Sequence, residues 1–200
     1  MCICYYVAGA RGEVTRWPIV KGSPDGVSVS PDGSVVVAIR DAGHVVIFGP
    51  TGQLVSEIKL PSELANPRHA VQLGNGQLLL CHGWGSSAYG ICVVGNDGHV
   101  IKSSSSSSSS RPAGSAAGSL PAPKFFTPTH LALDRHGNIL AAEFSGNAVR
   151  LYKANLEYVG NVVGQSAMLH QPFRLCFDHA SRQLYVGEYT GGGRVLVFGK

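Results

Sequence analysis

Four stretches of this chain follow one plan: PDGVSVSPDGSVVVAIRDAGHVVIF (Pro24 to Phe48), PRHAVQLGNGQLLLCHGWGSSAYGICVV (Pro67 to Val94), PTHLALDRHGNILAAEFSGNAVRLY (Pro128 to Tyr152) and PFRLCFDHASRQLYVGEYTGGGRVLVF (Pro172 to Phe198). Each opens on a proline, enters a short apolar run, turns through polar residues that usually include Gly, and makes two more runs separated by a loop. The prolines lie 43, 61 and 44 residues apart, and the long interval contains SSSSSSSSRPAGSAAGSLPAP (Ser103 to Pro123). Without that insertion the period is regular. A unit this small cannot bury its apolar surface alone and has to lean on its neighbours.

The runs are strands. With 26 Gly and 11 Pro in 200 residues, punctuation recurs too often for long helices. A fourth strand follows three of the units, at Gln53 to Leu60, His99 to Lys102 and Glu157 to Val163. In the third unit Leu131, Leu133, Ile139 and Ala141 face one side while Ala132, Leu140 and Ala142 face the other. Both surfaces are apolar, as a sheet sandwiched between two others requires. Small twisted sheets at this period are the blades of a β-propeller. The expected fold is therefore all-β, one domain with blades near residues 24–63, 67–102, 128–163 and 172–199 and a partial blade over 3–20. Residues 103–123, built largely of Ser, Ala, Gly and Pro, bury too little to offset their ordering entropy and are expected as a disordered loop between blades.

HLALDRHGNILAAEFSGNAVRLY, with His130, the turn from Asp134 to Gly137, Glu143 after the second strand and Gly146-Asn147 before the third, resembles an NHL repeat. Pro172 to Phe198 is similar, with Asp178, Glu188 and Gly193. Pro24 to Phe48 keeps Asp32-Gly33 but has Ile39 in the acidic column, and Pro67 to Val94 has His82 there and an enlarged Gly-rich loop. The resemblance spans roughly residues 5 to 199. It implies an NHL-type β-propeller of five or six blades, of which about four are present. It also implies a recognition role, since such domains often select the substrate of RING and B-box ubiquitin ligases. An incomplete ring exposes two apolar blade faces, so self-association is expected as well.

Stacking the units places Gly26, His69, His130 and Arg174, each two residues after its proline, at the start of the innermost strand. Side chains of successive blades converge there on one mouth of the central channel. Two imidazoles and a guanidinium suit an anion. Zinc needs three or four ligands, and this column supplies two before it meets Arg174 and Gly26, so neither metal nor cofactor is expected. TPTHLAL nevertheless resembles the setting of one ligand in the zinc-dependent peptidyl-hydroxyglycine lyases. Glu143 and Glu188 repeat one position in adjacent blades and read as turn-capping carboxylates rather than an acid/base pair, as do Asp134 and Asp178. No GxSxG elbow is present, and Thr190 to Gly193 lacks the Lys of a phosphate-binding loop. The chain reads as a non-enzyme.

The formal net charge of +4 comes from sixteen scattered Lys and Arg against twelve acidic residues, which permits an anionic partner without demanding one. Arg68, Arg174, Lys124 and Lys21 precede or begin innermost strands and would share one rim, with Phe125, Phe126 and Phe173 beside them. The leading expectation is a protein partner held at Arg68, His69, His130, Arg174 and Lys124. RNA bound through a basic face is the alternative, and a metal-dependent lyase or lactonase the second. Five cysteines without a CxxC pair fit reduced thiols in the cytoplasm. No stretch approaches the ~20 apolar residues of a membrane helix, so no membrane partner is expected.

Overall fold

The computed structural model describes residues 4–6, 14–17, 21–83, 89–104, 127–163, 168–190 and 193–199, with backbone alone at 4–6 and 14–16. Strands β1 (Cys4–Tyr6) and β2 (Val14–Arg16) pair antiparallel with each other. The first blade is the meander of β3 (Pro24–Val29), β4 (Val35–Ile39), β5 (His44–Phe48) and β6 (Leu54–Lys59). The second contains β7 (Pro67–Gln72), β8 (Leu78–His82), β9 (Gly90–Val94) and β10 (Val100–Ser103). The third contains β11 (Pro128–Leu133), β12 (Ile139–Glu143), β13 (Ala148–Tyr152) and β14 (Tyr158–Val163). In the fourth, β15 (Pro172–Asp178), β16 (Gln183–Glu188) and β17 (Val195–Phe198) make a three-stranded sheet. The innermost strands β3, β7, β11 and β15 contact one another in sequence, so four blades are arranged as a β-propeller. No helix among the described residues is long and apolar enough to cross a membrane.

One boundary differs from the sequence expectation. Ser103 is the last residue of β10, and Ser104 binds Ile91 through both its backbone N–H and its hydroxyl, so the blade keeps its hold on the first two serines of the run. Residues 105–126, the bulk of the expected disordered loop, lie outside the described residues.

The strands second and third from the axis in the first two blades, VVVAI, HVVIF, LLLCH and GICVV, are buried at every position because each faces a blade or segment on both sides. Three apolar layers sit at the blade junctions. Val36, Val45, Ile47 and Ile58 meet Ala70, Leu78, Leu80, Cys92 and Val94 between the first and second blades. Leu79, Cys81, Ile91 and Val93 meet Leu131, Ile139, Ala141 and Tyr152 between the second and third. Leu140, Ala142, Val149 and Val163 meet Leu175, Leu184 and Val186 between the third and fourth. The division of Leu131, Ile139 and Ala141 from Leu140 and Ala142 is the one that strand alternation implies. On the other face of the first blade Trp17 packs with Val35, Val37, Ile39, Val46 and Phe48.

The turns between first and second strands close on their own carboxylates. Asp134 Oδ1 accepts the N–H groups of His136 and Asn138 at 2.8 Å, while Gly137 takes φ +76°. Asp32 and Asp178 accept equivalent backbone donors from Ser34 and Ala180.

Near the axis there is no spare room at Gly26, where a Cβ would lie 2.8 Å from His69 Cα and still closer to the Arg68 carbonyl oxygen. Gly74, in the turn between β7 and β8, has nothing within 4 Å and no positive φ. Replacing Gly26 with Ala is expected to cost about 3 kcal/mol in urea unfolding, whereas Gly74→Ala stays within about 0.5 kcal/mol. Equal midpoints for the two variants would refute this packing of the innermost strands.

Candidate binding site at the axial mouth

In every blade the pairing of first with second strand slips just after the proline, between Pro24 and Gly26, Pro67 and His69, Pro128 and His130, and Pro172 and Arg174. Such a bulge sets two residues against one and re-aims the extra side chain. Asp25, Arg68, Thr129 and Phe173 are the extra residues. They join the expected column of Gly26, His69, His130 and Arg174 at the mouth.

The two histidines act as edge caps. His69 Nδ1 accepts the N–H of Leu131 at 3.3 Å, which leaves the ring proton on Nε2, 3.3 Å from the Val27 carbonyl oxygen that receives it. One step round the axis, His130 Nδ1 accepts the N–H of Leu175 at 3.4 Å. The rings stack with centroids 3.6 Å apart. Burial pushes the pKa of His69 down to about 4 and that of His130, which also feels His69 and Arg174, down to about 2. A metal here would have to displace backbone hydrogen bonds to reach either Nδ1 lone pair. Among the described residues no three His, Cys, Asp or Glu side chains are grouped to hold a metal.

The charged part of the mouth is built around Asp25. Arg68 Nη1 lies 2.9 Å from Asp25 Oδ2 with the Arg68 side chain only 3% exposed. From the fourth blade, Arg174 Nη2 donates to the Asp25 carbonyl oxygen at 3.0 Å and sits 3.6 Å from Oδ1, and Nη1 donates to the Phe173 carbonyl oxygen at 3.1 Å. The Arg174 guanidinium lies 4.1 Å from the centre of the Phe173 ring and that of Arg68 5.5 Å from it. Phe173, Phe144 and Tyr189 continue as an aromatic shelf, with centroids 5.2 Å apart for Phe173 and Tyr189 and 5.7 Å for Phe144 and Tyr189.

Of the residues picked out by sequence, Arg68, His69, His130 and Arg174 do come together. Arg68 and His69 are buried and underlie the mouth. Arg174 presents an accessible guanidinium, its side chain 40% exposed. Lys124, Phe125 and Phe126 lie outside the described residues, and Lys21 is exposed. Strand alternation gives no hint of Asp25, where a bulge breaks the two-residue period, nor of Phe144 and Tyr189, which follow the ends of β12 and β16. The signal available was the column one after each proline.

The acidic column caps loops. Glu143 Oε1 accepts the N–H and hydroxyl of Thr127 at 2.9 Å and the N–H of Ser145, and Oε2 pairs with Arg150 at 3.0 Å. Glu188 accepts the His170 N–H at 2.7 Å and pairs with Arg194 at 2.8 Å. Where the first blade has Ile39, Asp41 takes over by accepting the N–H and hydroxyl of Ser23. In the second blade His82 stands in the column, 1% exposed, with neither ring nitrogen hydrogen-bonded, and burial pushes its pKa down to about 4.

These imidazoles bind protons more weakly folded than unfolded, where the pKa is 6.5. Their stabilisation is therefore complete above that value and is lost as pH falls towards 4, each group steepening the loss by about 1.4 kcal/mol per pH unit. Urea midpoints should drop between pH 7 and pH 4.5. His82→Leu removes two unsatisfied nitrogens and one titrating group, so it should raise the pH 7 stability by about 1 kcal/mol and flatten the acid slope. A His82→Leu protein less stable at pH 7 would contradict this.

No protein-family profile matches the chain, and no curated protein matches it in sequence. Solved structures match its fold. A protein of unknown function from Bacteroides caccae superposes with TM-score 0.56 at 17% identity, covering 92% of this chain and 64% of the other. A catalytically inactive virginiamycin B lyase from Staphylococcus aureus, solved with quinupristin, gives TM-score 0.60 at 15% identity over 99% of this chain and 59% of its own. A putative gluconolactonase gives TM-score 0.56 at 19% identity, covering 88% of this chain and 60% of its own. The chain spans about three fifths of the length of these propellers. What they share with it at such identity is the fold.

Proposed function

We propose that this chain is a recognition module of the NHL type, which holds a protein partner at its axial mouth and does no chemistry there. One observation carries the reading: Arg174 and the shelf of Phe173, Phe144 and Tyr189 form an accessible, rigidly backed surface over the buried Arg68–Asp25 pair. Four of the groups that could do chemistry near the mouth are committed elsewhere. The Nδ1 lone pairs of His69 and His130 hold backbone amides, and Glu143 and Glu188 hold loop amides and arginines. Two of the solved neighbours bear the names of a lyase and a lactonase, but at 15% and 19% identity the likeness extends to the fold alone. A rigid frame with an exposed aromatic and arginine is instead what an interface hot spot needs. In a longer protein carrying a ligase module, this face would select the substrate.

A random peptide display library panned on the purified protein tests this. Enriched peptides should lose binding to the Arg174→Ala/Tyr189→Ala double variant at unchanged circular dichroism. Enrichment that survives the double variant would move the interface elsewhere, and no enrichment at all would remove the recognition reading.

A further inference from the structure

With the mouth taken as a recognition site, as proposed above, we infer that its occupant is an acidic peptide segment: a carboxylate set against Arg174 and a neighbouring apolar side chain laid on the shelf of Phe144, Phe173 and Tyr189. The first support is charge. Two guanidinium groups, Arg68 and Arg174, converge on the single carboxylate of Asp25. The other acids have cations of their own, Asp41 beside Arg40, Glu143 paired with Arg150 and Glu188 with Arg194. Among the described residues Arg68, Arg174 and Asp25, one positive charge is left over. Burial weighs on the Arg174 cation and lowers its pKa, and a second anion would relieve that cost.

The second support is geometry. Two hydrogen bonds, to the carbonyl oxygens of Phe173 and Asp25, hold the Arg174 guanidinium against the Phe173 ring. A guanidinium has five N–H donors in a planar fork, so donors remain for a carboxylate approaching from solvent. Pinned in this way, the side chain has little rotamer freedom left to lose on binding. Tyr189 is 64% exposed, a large ring left in water beside that cation. Its backbone is fixed by the N–H bond to the Gln171 carbonyl oxygen at 3.0 Å, and its ring leans on Phe173 and Phe144. A phosphodiester strand calls for a track of cations. Among the described residues of the mouth, one accessible guanidinium stands beside an aspartate, which suits a discrete carboxylate.

Fluorescence polarisation with an acetylated, labelled peptide carrying Phe flanked by Glu on both sides tests the inference, with the Gln version of that peptide and an oligouridylate as comparisons. The Glu peptide should bind at least about tenfold more tightly than the Gln peptide and should weaken as salt is raised. Arg174→Ala should abolish that preference. Arg174→Lys keeps the charge but loses the planar fork, and should recover only part of it. Tyr189→Ser, at an exposed position that leaves the fold intact, should weaken both peptides about fivefold without altering the preference. Equal affinity for the Glu and Gln peptides, an unchanged preference in the Arg174→Ala protein, or tighter binding of the oligouridylate would overturn the acidic assignment. If display panning still yields mouth-dependent peptides without acidic residues, the recognition reading stands and this inference alone falls.

Discussion

The innermost strand of each blade is a sheet edge, and its inward-facing amides have no further strand to pair with. An unsatisfied buried amide costs about 1–3 kcal/mol, so the repeat must supply a partner at every step round the axis. It does so with side chains from the preceding blade: His69 takes the Leu131 amide and His130 the Leu175 amide. Carbonyl groups are treated alike, with Ser28 donating to Ala70 and Thr129 to Pro172. These bonds tie each blade to the next in a fixed register, a constraint that the apolar layers alone, being non-directional, would not impose.

That capping duty decides which residues are left for function. An imidazole whose Nδ1 holds a backbone amide and whose ring is buried is unsuited to acid/base or metal chemistry at neutral pH. The proposed recognition surface is built instead from what the bulge adds and what the neighbouring loops present: Asp25 and Phe173 at bulged positions, Arg174 beside them, and Phe144 and Tyr189 just after the acidic column. The acidic column steadies the loops carrying those two aromatic residues, since Glu143 and Glu188 immediately precede them and bind back to Thr127 and His170.

Much of the fold was legible because it depends on short-range rules. The spacing of the prolines gave the blades, and the alternation in β11 and β12 correctly split Leu131, Ile139 and Ala141 from Leu140 and Ala142. Asp134 and Asp178 fold back on the next turn, as their position suggests. What escaped is non-local or breaks the period. The bulge after each proline moves the important column by one residue. The contact between Asp25 and Arg174 joins residues 149 positions apart, which no local pattern announces. Ile39 looked like a lost cap, yet Asp41 supplies the same bonds from two residues further on. Arg68 looked like a surface cation and is buried, because its partner comes from the blade before it.

Asp25 also limits what the mouth accepts. Without a carboxylate between them, the Arg68 and Arg174 guanidinium groups would repel each other over the Phe173 ring, and Arg68 could not remain buried. With it, Arg68 is neutralised internally, and among the described residues Arg174 is the guanidinium that the proposed ligand would meet. A mouth with two free guanidinium groups would attract any polyanion through long-range field. One guanidinium, lying on an aromatic ring and flanked by an aspartate, rewards a ligand that places a single carboxylate correctly and penalises a second negative charge set close to Asp25. Selectivity at this mouth would then arise as much from the repulsion Asp25 supplies as from the attraction of Arg174.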